Sequence, residues 1–268
     1  MVIDKGLAPG AFADLLRLAA PFVQLWKLGF GTAVLYPPEL VARKVAQARL
    51  AGVEVYPGGT CLELARVAGQ TAGMLRRFAD LGFRWVEVSD GTFDMTPRER
   101  RSLIRQAVEL GFEVVSEVGS KDERRTFEPG RAAEQAAADL AAGARYVIVE
   151  ARDSGRGVGI FDDSGRLKAE LLEQLEQGLE AVLPGGQALG SVIWEAPLTE
   201  QQRWLLLRFG PAVGLGNVQV GDVLTLAAMR LGLRSDTLRA WAATLGLKTA
   251  PASGPHGPCS VDGPAGSR

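Results

Sequence analysis

Short apolar segments alternate with longer amphipathic segments along most of the chain. Seven short segments are rich in β-branched and aromatic residues, and in order they read FVQLWKLGFG, VEVYPGG, WVEVSDG, EVVSEVG, YVIVEAR, SVIWEAP and AVGLGNV. Such short apolar runs predict buried strands. Between them, apolar residues recur at helical spacing, as in PPELVARKVAQARLAG, and several of these stretches end on a glycine typical of a C-terminal cap. The alternation predicts repeated βα units.

The repeat spacing of roughly 30 residues is the length of one βα unit. The pattern is compatible with a (β/α)8 barrel or with an open doubly wound sheet, and 268 residues suit a barrel. No dinucleotide fingerprint follows the first strand, where KLGFGTAVL continues into YPPE. We therefore predict an α/β, single-domain (β/α)8 TIM-type barrel over residues 1–248. Its eighth unit is expected to be irregular, with the short strand VQV before the helix VLTLAAMRLGL.

Residues 249–268 have a different composition, rich in Gly, Pro, Ser and Ala and almost free of large apolar residues. This composition predicts a disordered C-terminal tail. The single histidine, His256, falls in the tail. The predicted barrel therefore excludes Ser-His-Asp hydrolysis and histidine-ligated zinc, and its chemistry must come from carboxylates, lysine, arginine and bound metal.

The overall charge and the cysteine count indicate which partners and which cellular compartment to expect. A net charge of −1 gives no electrostatic basis for binding nucleic acid or an anionic membrane surface. The two cysteines, Cys61 and Cys259, do not suggest a disulfide framework. The opening MVIDKGLAPG lacks the apolar run of a signal peptide, and no segment approaches about 18 uninterrupted apolar residues. We expect a cytoplasmic protein.

Acidic residues stand at the ends of four successive predicted strands, the third to the sixth. They are Glu87, Glu117, Glu150 and Glu195, and Lys27 ends the first strand. In a barrel these C-terminal ends converge on one mouth, where active sites are built. Because unpaired buried carboxylates are costly, such a cluster requires cations, which lysine, arginine or a divalent metal would supply.

Three of these acids come from adjacent strands at comparable depth and predict an Mg²⁺ site, because Mg²⁺ prefers oxygen ligands. The predicted ligands are Glu87, Glu117 and Glu150. The arrangement is similar to the metal cradle of enolase-type barrels, an analogy of architecture. In the alternative arrangement the glutamates pair with Lys27, Lys121 and Arg152, and the substrate mainly holds any metal.

Three loops are candidates for anion binding. The turn YPGGT, with Gly58, Gly59 and Thr60, offers backbone N–H groups before a helix N-terminus. The segment GLGNV, with Asn217, follows a late strand, where barrels frequently bind phosphate. Arg152 lies in the glycine-rich loop EARDSGRGVGIFD and is suited to clamp an oxyanion.

Taken together, the motifs resemble the phosphosulfolactate synthase family. DKGL, KLGFGTAVL, YPGGTCLELA, GFRWVEVSDGT, GFEVVSEVGSKD, GARYVIVEARDSG, IWEAP, QQRWLLLRFG, GLGNV and LRLGLRSDTL follow one another over about residues 1–240. The resemblance implies a carbon–sulfur lyase with a (β/α)8-type barrel that adds sulfite to phosphoenolpyruvate with Mg²⁺. The implied product is (2R)-2-phospho-3-sulfolactate, on one route to coenzyme M. A homo-oligomer is also implied.

The resemblance carries over site residues that lie in matched motifs. We expect Lys121 to be the proton donor, with Lys27 as the next candidate, and Arg152 to bind sulfite. The metal ligands are those predicted above. The remaining substrate-binding candidates are Gly58, Gly59, Thr60, Glu63, Ser89, Asp90, Glu195 and Asn217.

Three positions depart from the family pattern. Ser120 stands where a second lysine is expected, Gly214 where asparagine is expected and Ala227 where an acidic residue is usual. We expect the loss of one cation and one amide at the mouth to weaken sulfite or phosphate binding or to change the substrate. Two alternative functions therefore stay open. One is a related barrel enzyme acting on another enol phosphate, and the other is a non-catalytic stress-associated homologue.

Overall fold

The computed structural model describes residues 1–120, 125–183 and 190–244. Within these ranges the chain forms short parallel strands that alternate with helices. The strands are β1 (Val2–Asp4), β2 (Leu25–Leu28), β3 (Glu54–Pro57), β4 (Trp85–Val88), β5 (Glu113–Val118), β6 (Ala144–Val149), β7 (Val192–Glu195), β8 (Gly214–Gly216) and β9 (Val218–Gln219).

The helices follow the amphipathic segments of the sequence. Helices α1, α3, α6 and α7 each have a proline in the first turn. At this position the missing proline N–H removes no hydrogen bond from the helix. The helices are α1 (Pro9–Ala19), α2 (Thr32–Leu35), α3 (Pro38–Leu50), α4 (Thr60–Val67), α5 (Thr71–Asp80), α6 (Pro97–Glu109), α7 (Pro129–Ala142), α8 (Ala169–Val182), α9 (Thr199–Phe209), α10 (Val223–Arg230) and α11 (Ser235–Thr244).

Two hydrogen-bonded sheets together form a closed barrel. Their orders are β3-β2-β1-β9 and β4-β5-β6-β7-β8. Only Asn217 separates β8 from β9, so the sheets join there through one interrupted eighth strand. On the other side β3 lies against β4, and the Gly59 N–H donates to Glu87 Oε1 at 2.8 Å across this junction. The predicted TIM-type barrel is confirmed, and the doubly wound alternative is wrong.

The numbering of the predicted strands needs one correction. Val2–Asp4 is the first strand and was not recognised, because three residues are too short to show an apolar pattern. The segments AVGLGNV and VQV, predicted as two units, are halves of the interrupted eighth strand. Lys27 therefore ends the second strand. The predicted tail 249–268 and the boundary at 248 lie outside the described residues.

Strand residues alternate between two buried environments. Val86 and Val88 of β4 belong to the large core beneath the helices, while Trp85 packs against an apolar cluster inside the barrel. Glu87, between the two valines, shares the inward direction of Trp85 because successive side chains point to opposite faces. The inner cluster consists of Leu25, Tyr56, Val115, Ile148 and Ile193. A strand that is apolar on its outer face can thus carry an acid on the inner one.

Candidate active site

One buried lysine gathers three glutamates above the apolar filling of the barrel. Lys27 Nζ lies 2.9 Å from Glu87 Oε2, 3.5 Å from Glu117 Oε2 and 3.5 Å from Glu195 Oε1. The four side chains come from β2, β4, β5 and β7, and all are buried. We refer to these four residues as the Lys27 cluster. The predicted convergence of Glu87, Glu117 and Glu195 with Lys27 at the strand ends is therefore observed.

The cluster fixes the charge state of its lysine. Burial alone would lower the pKa of Lys27, but the charges of Glu87, Glu195 and Glu117 outweigh burial and raise the pKa well above its usual value. Lys27 is therefore a permanent cation at neutral pH. It is suited to stabilise negative charge and poorly suited to release a proton.

Glu195 responds in the opposite way. Burial raises its pKa to about 7. The charges of Glu117 and Glu87 add to this rise, and the charge of Lys27 and the Ala151 N–H oppose it. Glu195 Oε2 accepts a hydrogen bond from the Ala151 N–H at 3.0 Å. Glu195 is thus a carboxyl group that exchanges a proton near neutral pH.

A glycine holds Glu87 in place. The Gly59 N–H donates to Glu87 Oε1, and a Cβ added at Gly59 would lie 2.2 Å from Ser89 Oγ and 2.8 Å from that carboxylate oxygen. No larger residue fits without displacing Glu87 or Ser89. The Gly58 N–H donates to the Leu28 carbonyl at 3.1 Å. The glycine turn predicted to bind an anion through these N–H groups therefore uses both of them within the protein.

A cavity of about 450 Å³ opens beside the Lys27 cluster, and we call it the mouth cavity. Its described lining contains nine of the predicted site residues. These are Lys27, Gly58, Gly59, Thr60, Glu87, Glu150, Arg152, Glu195 and Asn217. The volume suits a small organic acid with several charged groups. Most of the predicted site is therefore brought together in one place.

The backbone around the mouth cavity is strained at three points. Phe30, Arg152 and Asn217 have φ angles of 53°, 60° and 51°, and within the described ranges they are the residues other than glycine with positive φ. All three line the mouth cavity. Strain of this kind costs about 1–3 kcal/mol per residue and clusters at functional sites. Asn217 also donates from Nδ2 to the Arg152 carbonyl at 3.4 Å, which links two of the strained residues.

Glu63 and Ser89 have a different role from the predicted one. Ser89 Oγ donates to Glu63 Oε1 at 2.6 Å, and Glu63 Oε2 accepts from the N–H groups of Thr92 and Phe93 at 3.0 and 3.1 Å. Glu63 and Ser89 are not part of the described lining of the mouth cavity. Their hydrogen bonds connect the loop after β4 to α4, and Ser89 lies directly beside Gly59.

Asp90 is also placed away from the mouth cavity. Its Oδ1 accepts from Arg100 at 2.7 Å, and Arg100 pairs with the buried Asp139 and donates to the Glu117 carbonyl. Asp90 lines a second cavity of about 480 Å³ together with Arg100 and Ser120. The arginine thus anchors the end of β5 from the helix side.

The predicted three-glutamate metal cradle does not fit the observed geometry. The Lys27 ammonium lies between Glu87 and Glu117, in the place that a shared cation would occupy. Glu150 Oε1 instead accepts from the Arg152 N–H at 2.5 Å. In the part of the chain that the structure describes, no group of three or more acidic, cysteine or histidine residues is arranged to hold a metal ion. The alternative with lysine as the main counter-charge agrees better with these contacts.

The remaining predicted residues have mixed outcomes. Lys121, the expected proton donor, lies outside the described residues. Gly214 and Ala227 line a cavity of about 500 Å³ at the opposite end of the barrel. A Cβ at Gly214 would lie 2.6 Å from the Val192 carbonyl oxygen, so an asparagine does not fit there. Gly214 and Ala227 therefore remove no group from the mouth cavity, and the expectation that an amide is lost there is wrong. Ser120, where a lysine is expected, lines the second cavity beside Asp90.

The prediction from the sequence misses Lys5, which lies at the rim of the mouth cavity. Lys5 Nζ lies 3.2 Å from Asp153 Oδ2 and 5.6 Å from the centre of the Phe30 ring. Asp153 and Phe30 line the cavity. Lys5 directly follows the first strand, and because that strand is not predicted from the sequence, Lys5 is not predicted at the mouth. Recognising Val2–Asp4 as a strand would have placed Lys5 at the mouth.

Comparisons with known proteins show which family the chain is similar to. Residues 1–236 match the family described as (2R)-phospho-3-sulfolactate synthase (ComA). The phosphosulfolactate synthase of Methanothermobacter thermautotrophicus is 38% identical over 240 residues, which cover 89% of this chain and 90% of that protein. The phosphosulfolactate synthase of Methanocaldococcus jannaschii is 36% identical over 239 residues, covering 88% and 92%.

A solved structure supports the fold independently. The 3-hexulose-6-phosphate synthase of Salmonella typhimurium superposes with a TM-score of 0.54 at 17% identity, covering 90% of this chain and 97% of that one. At this identity the likeness concerns the fold alone. None of the described helices is long and apolar enough to span a membrane. By its family match and its relatives, the chain belongs to the phosphosulfolactate synthase family, a family of carbon–sulfur lyases.

Proposed function

We propose that this protein adds sulfite to C3 of phosphoenolpyruvate and forms (2R)-2-phospho-3-sulfolactate. The observation that carries the proposal is the Lys27 cluster at the edge of the mouth cavity, in a chain of this family. A permanent cation buried among carboxylates is arranged to meet a developing negative charge. Two of the three departures, Gly214 and Ala227, lie at the far end of the barrel and do not favour a different substrate.

The chemistry explains why a fixed cation matters. The sulfur lone pair of sulfite forms the C3–S bond, and the π electrons of the C2–C3 double bond move onto the conjugated carboxylate as an enediolate. A proton then adds to C2 from one face, which restores the carboxylate and sets the configuration. The charge on the enediolate is the main barrier, so a preorganised cation beside it lowers that barrier most. Sulfite is already nucleophilic near neutral pH and requires no general base.

We assign Lys27 to the substrate carboxylate. Its raised pKa keeps it charged throughout the reaction, and Glu87 and Glu117 hold its ammonium group in one position. Preorganisation of this kind avoids reorganising charges in the transition state. Lys27 as proton donor is the less favoured alternative.

Two residues are candidates for the proton donor to C2. Lys121 keeps its predicted role, and Lys121→Ala should bind phosphoenolpyruvate but lose turnover. Glu195 is a second candidate because it lines the mouth cavity and burial raises its pKa to about 7. The kcat and its pH dependence, measured for Lys121→Ala and Glu195→Gln, separate the two, because loss of the true donor lowers kcat and removes its titration from the profile. Wild-type-like sulfite addition by Lys121→Ala would remove it from the mechanism.

We assign Arg152 to sulfite. Arg152 lines the mouth cavity, and its strained backbone is held by the Arg152 N–H bond to Glu150 and by the Asn217 bond to its carbonyl. A planar guanidinium donates two parallel hydrogen bonds to an oxyanion, which fits sulfite. Arg152→Lys should raise the sulfite KM more than the phosphoenolpyruvate KM.

We also propose that activity requires Mg²⁺, as the family resemblance implies. Because Lys27 already neutralises Glu87 and Glu117, the metal would be held mainly by substrate oxygens rather than by three glutamates. Bound Mg²⁺ would neutralise charge on the substrate. Glu117→Gln should therefore change the Mg²⁺ titration little, and a large loss of Mg²⁺ affinity would restore Glu117 as a ligand.

Product analysis tests the function directly. The purified protein is mixed with Mg²⁺, sulfite and phosphoenolpyruvate. The product should retain phosphate and contain a C–S bond, which ³¹P NMR and mass spectrometry detect. Lys27→Met is the matched inactive control. Absence of product from the wild type, with phosphoenolpyruvate still bound, would favour a related enol-phosphate enzyme. Absence of both product and phosphoenolpyruvate binding would favour a non-catalytic homologue. A cytoplasmic location, a homo-oligomer and a role in coenzyme M synthesis stay predictions.

A further inference from the structure

The described lining of the mouth cavity carries more acidic than basic side chains. It has four carboxylates, on Glu87, Glu150, Asp153 and Glu195, against the two cations Lys27 and Arg152. Lys27 already lies within 3.5 Å of three carboxylates of its cluster. A further cation among the described residues would therefore favour the binding of a phosphate dianion at this cavity.

Lys5 is positioned to supply that cation. Its ammonium contacts Asp153 at 3.2 Å and lies over the Phe30 ring at 5.6 Å, and both partners line the mouth cavity. The side chains of Lys5 and Asp153 are each 39% exposed. Exposed ion pairs of this kind contribute little net stability. A ligand with higher charge can therefore replace Asp153 at little cost.

The backbone that carries Lys5 is fixed by hydrogen bonds to the preceding residue, Asp4. Asp4 is fully buried, and its Oδ1 accepts from the N–H groups of Gly6 and Leu7 at 2.9 and 2.6 Å. Its Oδ2 accepts from Lys44 Nζ at 2.8 Å and from Trp26 Nε1 at 3.2 Å. The turn after β1 is thus fixed on both sides of Lys5. A cation on a fixed turn loses less freedom when it binds a ligand.

We propose that Lys5 binds the phosphate group of the substrate and that this phosphate replaces Asp153 as the partner of Lys5. The identity of the ligand, a phosphate monoester of a small carboxylic acid, rests on the proposed function. In the free protein Asp153 holds the ammonium at the rim. In the complex Lys5 gives the site its preference for phosphorylated over unphosphorylated acids.

Direct binding measurements test the proposal without turnover. Phosphoenolpyruvate is titrated calorimetrically into the full chain at fixed Mg²⁺ without sulfite, and oxamate serves as the phosphate-free acid. Lys5→Met should weaken phosphoenolpyruvate binding about tenfold or more and leave oxamate binding unchanged, because only the phosphate contact is lost. Lys5→Arg should restore most of the affinity. Arg17→Met, which removes an exposed cation paired with Asp14 on α1, is the matched control and should change neither.

The Asp153 variant tests the exchange of partners. Asp153→Asn should tighten phosphoenolpyruvate binding a few-fold, because the competing carboxylate is gone. The same substitution in the Lys5→Met background should give a clearly smaller gain. Equal gains in both backgrounds would mean that Asp153 acts only through general charge, and the exchange would be overturned.

Other outcomes overturn the assignment of Lys5. Unchanged phosphoenolpyruvate affinity in Lys5→Met would do so, as would equal losses for phosphoenolpyruvate and oxamate, which would indicate a structural role. A raised KM for sulfite alone would also contradict it. A wild type that binds phosphoenolpyruvate through Lys5 but forms no product overturns the proposed function and supports this inference. A wild type that binds no phosphoenolpyruvate overturns both.

Discussion

Lys27 and Lys44 are both buried lysines close to the strand ends of one barrel, yet their surroundings differ in charge. Lys44 Nζ has one carboxylate, Asp4, at 2.8 Å, and lies over the rings of Phe12 and Tyr36 at 4.9 and 4.8 Å. Lys27 has three carboxylates within 3.5 Å. Lys44 is fully buried, whereas Lys27 lines the mouth cavity.

This difference in charge makes Lys44 and Asp4 a structural ion pair and the Lys27 cluster a reactive group. Asp4 is satisfied by two N–H groups, an indole and Lys44, and these contacts outweigh burial and hold its pKa below the usual value. In the Lys27 cluster the carboxylates outnumber the lysine, so burial raises the pKa of Glu195 to about 7. A balanced pair stabilises the fold, while an unbalanced cluster keeps a group that still exchanges protons at neutral pH.

The largest expected effect concerns Lys44. Lys44→Met should lower the free energy of unfolding by about 3–5 kcal/mol, because it leaves Asp4 as an uncompensated buried charge. Urea denaturation at pH 7 measures the change. At saturating phosphoenolpyruvate the kcat of the folded fraction should stay within about threefold of wild type, since Lys44 is not part of the described cavity lining and acts on Lys5 only through Asp4. A stable but inactive Lys44→Met would break the distinction between the two lysines.

Lys27→Met should have the complementary effect on turnover. Removing the fixed cation should lower kcat about 10²–10³-fold, the range for loss of one preorganised donor to a developing oxyanion. Steady-state kinetics with phosphoenolpyruvate and sulfite measure this change, and circular dichroism confirms that the variant is folded. A kcat within a few-fold of wild type would show that Lys27 only neutralises its neighbours.

The titration of Glu195 gives a smaller effect with a defined sign. Its pKa is raised from 4.5 to about 7 in the folded state, so the folded state holds the proton more strongly than the unfolded state. The resulting stabilisation is fully present below about pH 4.5 and is lost as the pH rises through about 7. Glu195→Gln should therefore gain stability relative to wild type between pH 5 and pH 8, on the order of 2 kcal/mol. A pH-independent difference would place the Glu195 pKa at its ordinary value.

Gly59→Ala should have the smallest effect on the cluster. The added Cβ meets Ser89 Oγ and Glu87 Oε1, which shifts Glu87 away from Lys27 at a cost of about 1–3 kcal/mol. We expect roughly a tenfold loss of kcat/KM. Gly130→Ala, near the start of α7, has no atom within 4 Å of the added Cβ and is the matched control. Equal activity of the two variants would show that Glu87 need not be fixed.

Sequence and structure diverge most clearly around Glu63 and Ser89. Both residues lie in motifs close to the site, and both were predicted to bind substrate. They bind each other instead, because a carboxylate on α4 reaches the serine after β4 only once the helix has packed. Position in a motif therefore predicted proximity to the site but not the partner of each side chain.

The sequence alone determined the barrel and the layer of acids at its mouth. The alternation of strands and helices sets the parallel architecture, and the period of two along each strand decides that Glu87 and Lys27 share the inner face. Only the tertiary structure decided that Lys27 takes the place predicted for a metal and that Lys5 reaches Asp153 at the rim. These contacts join residues far apart in the chain, and their distances depend on how the barrel closes rather than on any local pattern.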